Sequence, residues 1–144
     1  MTGRHELDRH ELHASEQSLL AEATAIRRQA YAPYSGFLVG AALQAADGTI
    51  FTGANIENAS YSATICAERV ALPAAMLAGH REFTAVAVVG AGSAPCTPCG
   101  VCRQSLFEVA PGLTVIAAGE TGRVLRLRLD TDLLPYGFGP DRLG

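Results

Sequence analysis

Apolar positions recur along this chain first with a helical period and then with the patterns of strands. Leu19, Leu20, Ala23, Ile26 and Ala30 return every three to four residues, which predicts a helix beginning near Ser15. Ser15 is the expected cap, Glu16 suits the first turn, and Arg27 and Arg28 suit the last. Pro33 ends the helix, because a residue before proline avoids the αR region. Residues 37–46 are apolar almost throughout, which predicts a strand covered on both faces. Asp47-Gly48 then signals a hairpin into a second strand at 49–53. Residues 55–64 read as a polar loop. A helix over 66–78 ends at Gly79. Pro73 inside it removes the bond to the Arg69 carbonyl and predicts a kink.

A third, buried strand is expected at 84–90, a loop at 91–98, a helix at 99–110 and a fourth strand at 113–118. Strand, helix, strand in that order implies a parallel crossover. Residues 123–129 alternate, with Leu125, Leu127 and Leu129 on one face and Arg126 and Arg128 on the other. This predicts a fifth, half-exposed strand whose solvated arginines discourage edge pairing. The tail 133–140 is irregular and aromatic. Residues 1–14 read as a polar, frayed extension and 15–144 as a single α/β domain. That domain is expected to be one mixed sheet of about five strands with helices on both faces. The echo of His5-Glu6 in His10-Glu11 is not a zinc helix motif, since that motif needs histidines four apart.

A length of 144 residues and 49% hydrophobic content suit one globular domain with a sizeable core. A net charge of -3 argues against an extended nucleic-acid interface. The alternating Arg126 and Arg128 lack interleaved aromatics, so base stacking is not expected there. No apolar run reaches membrane-spanning length and the polar N-terminus has no signal-peptide core, so no membrane partner and a cytoplasmic location are expected. The cysteines are Cys66, Cys96, Cys99 and Cys102. Three fall within seven residues, which in a leaderless chain points to metal or catalysis rather than disulfides.

Cys66-Ala67-Glu68-Arg69 and Pro98-Cys99-Gly100-Val101-Cys102-Arg103-Gln104 carry the chemistry. Cys66, Cys99 and Cys102 supply three thiolates for one Zn²⁺ per chain, and three protein ligands leave the fourth place for water. Cys99 and Cys102, three apart, share a helix face. Cys66 and Glu68, two apart, reach one site only if Cys66 is a helix cap. Two helix N-termini and Arg69 then offset the net charge of three thiolates on zinc. Zinc brings the pKa of its water near 7, and Glu68 takes that proton and delivers protons to a ring nitrogen and a leaving amine. Such chemistry removes an amino group hydrolytically from an amidine-like carbon, as at C4 of cytosine. The rival reading is a closed four-thiolate zinc that includes Cys96, an inert structural and interaction module.

The chain resembles the short cytidine deaminases over nearly all of residues 24–143. The resemblance rests on 31–42, on Asn55-Ile56-Glu57-Asn58 and the rest of 53–61, on both cysteine stretches, on Leu133-Leu134-Pro135 and on Phe138-Gly139-Pro140. It implies a three-layer deaminase-like sandwich that converts cytidine and deoxycytidine to the uridines, with release of ammonia, in pyrimidine salvage. It also implies that Asn55 and Glu57 bind ribose hydroxyls, Phe37 packs on the pyrimidine and the Ala67 backbone contacts the base. Arg69 and Gln104 would brace the thiolates. Members of this length are similar in being homotetramers, in which Ala59 and Tyr61 of one neighbour and Phe138 of another complete each site. The plainer readings stay open: Asn55 and Glu57 as turn residues, Phe37 as core, Tyr61 as loop packing and Phe138 as a surface aromatic. A blasticidin-type aminonucleoside deaminase resembles the chain in both zinc motifs. Pro73, Cys96 and Ser62-Ala63-Thr64 depart from the family pattern.

Overall fold

The computed structural model describes residues 5–144. In chain order the main elements are β1 (Glu6–Leu7), α1 (Ala14–Ile26), β2 (Gly40–Ala45), β3 (Ile50–Ala54), α2 (Ala67–Leu77), β4 (Phe83–Val89), α3 (Gly100–Phe107), β5 (Thr114–Ala118) and β6 (Val124–Arg128). Six strands form one sheet in the order β1-β6-β5-β4-β2-β3. β4 and β5 run parallel and the other pairs antiparallel.

The sheet is covered on both faces, as the continuous apolar strands require. Alternation along each strand sorts the side chains. Leu43, Val86, Val88, Val115 and Leu127 pack beneath Ala71, Leu72 and Ala75 of α2 and Leu106 and Phe107 of α3. Ala42, Ala87, Val89, Ile116 and Val124 pack beneath Leu19, Leu20 and Ala23 of α1. Each large aliphatic side chain removed from water in this way contributes roughly 1.5–3 kcal/mol. α2 runs on through Pro73, which lies on its exposed side.

Several expectations are corrected. From residue 5 onwards the N-terminal segment is not frayed, because Glu6–Leu7 pairs with β6 as a sixth strand. Arg9 donates to the Gly119 and Gly122 carbonyls at 2.6 and 2.9 Å, Arg123 meets Asp8 at 3.1 Å, and Leu12 is buried in the core. A two-residue strand is too short to show a period, and main-chain pairing is indifferent to side-chain polarity. β6 is consequently not an edge. Arg126 faces α1 rather than solvent alone and grips Glu16 through two hydrogen bonds of 2.6 and 2.9 Å. α1 begins after His13, not Ser15, since the Glu16 carboxylate accepts the His13 N–H at 2.9 Å. It ends at Ile26, seven residues before Pro33, through a 3-10 turn at Arg27–Gln29.

Glu16 supplies a test of this packing. Burial alone would raise its pKa, but the Arg126 hydrogen bonds and the His13 N–H outweigh burial and hold it below the usual value. A carboxyl depressed in the folded state adds stability above its unfolded pKa and loses it as pH falls through the folded one. Glu16→Gln is expected to lower the unfolding free energy by about 2 kcal/mol at neutral pH. Urea titrations of the two proteins should converge between about pH 6 and about pH 3. A constant gap across that range would remove the Arg126 pairing as its cause.

Candidate active site

The site is built where two helices begin. Cys66 caps α2 with extended backbone, φ -73° and ψ 155°, as the Cys66–Glu68 spacing requires. Cys99 caps α3 in the same way, φ -68° and ψ 170°. This corrects the expectation that Cys99 and Cys102 share one helical face: Cys99 lies outside the helix and Cys102 is its third residue. Capping side chains fold back over the third residue of a helix, so the same backbone brings the two sulfurs together. The start of α2 is seated by Gly53 on β3, where a Cβ would collide with the Ala67 carbonyl and lie 2.8 Å from the Ala71 nitrogen.

The sulfurs of Cys66, Cys99 and Cys102 lie within 4.8 Å of one another. Cys66 Sγ and Cys99 Sγ are 3.8 Å apart. Bonds of about 2.3 Å to a tetrahedral zinc place two sulfurs about 3.8 Å apart, so the pair fits that ion. Among the described residues the sulfur cluster does not include Cys96. A three-sulfur set is the donor count of a catalytic zinc and not of a closed structural one.

Charge agrees with the donor set. The Cys66 thiol is brought down to about 5, mainly by a hydrogen bond from the Cys102 thiol and also by the Arg69 guanidinium. Cys102, as donor in that bond and as a buried group, is pushed far up. Arg69 Nη2 lies 3.5 Å from Cys66 Sγ, and its buried Nε has no hydrogen-bond partner. Glu68 is only 4% exposed. Burial pushes its carboxyl up and the charge of Cys66 adds to this, against a bond from its own backbone. Cys96 is pushed up to about 11 by burial and by the charge of Glu68.

The other residues assigned to the same chain's site are Phe37, Asn55, Ala67 and Glu57. The tip of the Phe37 ring lies 2.9 Å from where a Cβ on Gly90 would be, and the Cys96 Cβ lies 2.8 Å from the same point. Asn55 is buried, donating to the Phe37 carbonyl and accepting the Val39 N–H, both at 2.9 Å. Ala67 is fully buried at the first residue of α2. Glu57 accepts the Tyr34 and Ser35 N–H groups at 2.9 and 3.1 Å and the Ser35 hydroxyl.

The site lies within a recognisable domain. The description "Cytidine and deoxycytidylate deaminase zinc-binding region" matches residues 13–118, which include all three clustered cysteines. The chain belongs to this deaminase family. It is 53% identical to the cytidine deaminase of Sporosarcina psychrophila over 88% of this chain and 93% of that one. It is 46% identical to the cytidine deaminase of Halalkalibacterium halodurans over 85% and 92%. The crystal structure of cytidine deaminase from Burkholderia pseudomallei matches with a TM-score of 0.81 at 48% identity, over 84% of this chain and 97% of that one.

Other expected deaminase residues are not brought to the cluster within this one chain. Tyr61 is 76% exposed and meets Tyr34 edge-on at 6.0 Å. Ala59 is exposed beside it. Phe138 is 58% exposed. Gln104 does not reach a thiolate; its amide donates to the Phe138 carbonyl at 2.8 Å and ties down the tail. Arg103 had no assigned role, yet it holds the Pro98 carbonyl at 2.7 Å, the Thr97 hydroxyl at 3.4 Å and the Leu133 carbonyl at 3.0 Å. The signal was its place directly after Cys102. Ser35, in the same 31–42 stretch as Phe37, also holds Glu57, a role that nothing in its own sequence position signals.

The three-sulfur geometry sets a metal test. Cys102→Ala is expected to carry less than about a tenth of a zinc per chain by atomic absorption, while Cys96→Ser keeps close to one. Release of zinc by Cys96→Ser would mean a fourth thiolate and a closed site.

Proposed function

We propose that this chain is a zinc-dependent enzyme that hydrolytically deaminates cytidine and deoxycytidine to uridine and deoxyuridine, with release of ammonia, in pyrimidine salvage. The observation that carries the proposal is a buried carboxyl, Glu68, two residues from one sulfur of a three-sulfur cluster, in a chain of this family. Zinc held by Cys66, Cys99 and Cys102 supplies the Lewis acidity that makes water a nucleophile at neutral pH.

The chain's own residues do the rest. Glu68 is the proton carrier: it takes one proton from the attacking water and places it on the ring nitrogen, then takes the second from the hydroxyl now on C4 and delivers it to the leaving amine. Its burial raises its pKa above the ordinary carboxylate value, which favours the protonated form from which it gives a proton up. Arg69 balances the thiolate of Cys66. Phe37 packs on the pyrimidine, and the Ala67 backbone contacts its edge. Asn55 fixes the backbone on either side of Leu38 and shares with Glu57 the binding of ribose hydroxyls; the Glu57 carboxylate is held for this by the Tyr34 and Ser35 N–H groups.

The catalytic unit is residues 15–144 together with the segment from residue 5 that pairs with β6 and enters the core, and a homotetramer completes its sites. Ala59 and Tyr61 of one neighbour and Phe138 of another wall each pocket, with Gln104 bracing the tail that presents Phe138. The exposure of Tyr61 and Phe138 in the single chain supports this assignment. A net charge of -3 favours a free nucleoside over a polynucleotide. Among the described residues no helix is long and apolar enough to cross a membrane, in keeping with a cytoplasmic enzyme.

Zinc-loaded protein is expected to consume cytidine, read as loss of its absorbance, and Glu68→Gln to slow this by about 10²–10⁴ with zinc retained. Wild-type protein inert towards cytidine, or a fully active Glu68→Gln, would sink the proposal. Shared sites have their own test. Phe138→Ala and Glu68→Gln chains, each impaired alone, should give hybrid tetramers more active than either parent when co-expressed, because a Glu68 site then meets an intact Phe138. Hybrids no better than the mean of the parents would place Phe138 in its own chain's site.

A further inference from the structure

Arg27 follows the last residue of α1, where a cation suits the helix C-terminus. It is brought against the sheet by Gly40, where a Cβ would lie 2.8 Å from the Arg27 nitrogen and 2.9 Å from its Cα. From there its guanidinium works in two directions. Nε donates to the Leu38 carbonyl at 2.7 Å, one residue beyond Phe37. Nη1 meets Glu120 Oε1 at 2.7 Å. Glu120 in turn accepts the Gly92 N–H on Oε2 at 2.9 Å, and its own N–H bonds the Gly92 carbonyl at 2.6 Å. Gly92 belongs to the loop that follows β4 and runs through Cys96 to Cys99.

The two segments joined in this way are the two sides of one contact. The Phe37 ring rests on Gly90 next to Cys96. Phe37 and Leu38 precede β2 and Gly92 lies beyond β4; on the second side the sheet holds the Gly90 and Cys96 N–H groups, through the Ala118 carbonyl at the end of β5, but not Gly92 between them. The fork of one arginine therefore links Leu38 and, through Glu120, Gly92, positions that no strand pairing holds. We propose that Arg27 is a positioning residue for the base pocket, fixing the Phe37 wall directly and its Gly90–Cys96 floor through Glu120 and Gly92. The proposal rests on the reading that Phe37 packs on the pyrimidine.

The clamp is separate from the metal. Cys66 and Cys102 are set by α2 and α3, and Cys99 is secured by the bonds of Arg103 to the Pro98 carbonyl and the Thr97 hydroxyl. Loss of Arg27 is thus expected to loosen substrate binding without unseating zinc. A lysine offers one donor point and cannot span both Leu38 and Glu120.

The test uses Arg27→Met, which keeps the aliphatic stem, with Arg27→Lys, Phe37→Ala and the Arg27→Met/Phe37→Ala double variant. Arg27→Met is expected to raise KM for cytidine about tenfold with kcat within about twofold, the pattern of lost uniform binding. Zinc should stay near one per chain, and Arg27→Lys should fall between. In the Phe37→Ala background Arg27→Met should add nothing to KM, since the wall it holds is already gone. Hydrogen exchange, which needs no turnover, should quicken in 36–40 and 90–96 and stay unchanged in the β4 and β5 amides. An unchanged KM or unchanged exchange in Arg27→Met overturns the proposal, as does a KM effect that persists without Phe37. A wild-type protein inert towards cytidine overturns the functional reading instead, and the exchange measurement alone then decides the clamp.

Discussion

Three sulfur atoms crowded within 4.8 Å of one another set the terms for the rest of this structure. Two thiolates 3.8 Å apart repel by about 4 kcal/mol even at an effective dielectric constant of about 20. Such a cluster is tenable either with most of its protons retained or around a divalent cation. Zinc held by the three sulfurs would meet the second condition, and Arg69 Nη2, 3.5 Å from Cys66 Sγ, adds a positive charge beside them.

The fold meets this demand with two helix starts rather than with loops. α2 and α3 each place a cysteine at the cap, so the positive ends of both helices face the sulfurs. The helices are held by packing on one face of the sheet, and glycine is what lets the backbone come close enough, at Gly53 beneath α2 and at Gly40 beneath α1. The same closeness buries Glu68 and raises its pKa, so one packing arrangement sets both the metal donors and the proton carrier.

Polar side chains govern the irregular segments around the cluster. Asn55, Glu57, Arg27 and Arg103 each bond main-chain groups of a loop that no strand or helix holds. These segments are therefore loops tied at points, on a scaffold whose rigidity comes from the sheet. Gln104 belongs to this class as well, as an anchor of the tail and not of a thiolate.

The core strands, both helices of the site, the zinc donors and the cap role of Cys66 were all legible in the residues. Period and spacing report local geometry, and a catalytic metal demands specific atoms at specific offsets. The sixth strand was not legible, because Glu6–Leu7 is recruited by the main chain of β6. Nor was the fate of Arg126, whose partner Glu16 lies 110 residues away. The shared face assigned to Cys99 and Cys102 failed for a local reason: the cap begins one residue later than the motif suggested. The sequence by itself determined which three sulfurs form the cluster and which carboxyl stands two residues from one of them, since a metal site demands specific atoms at specific offsets. Tertiary structure alone decided that Cys96 stays outside the cluster and that Arg27 bridges Leu38 and Glu120, because both depend on distances between segments that only packing brings together.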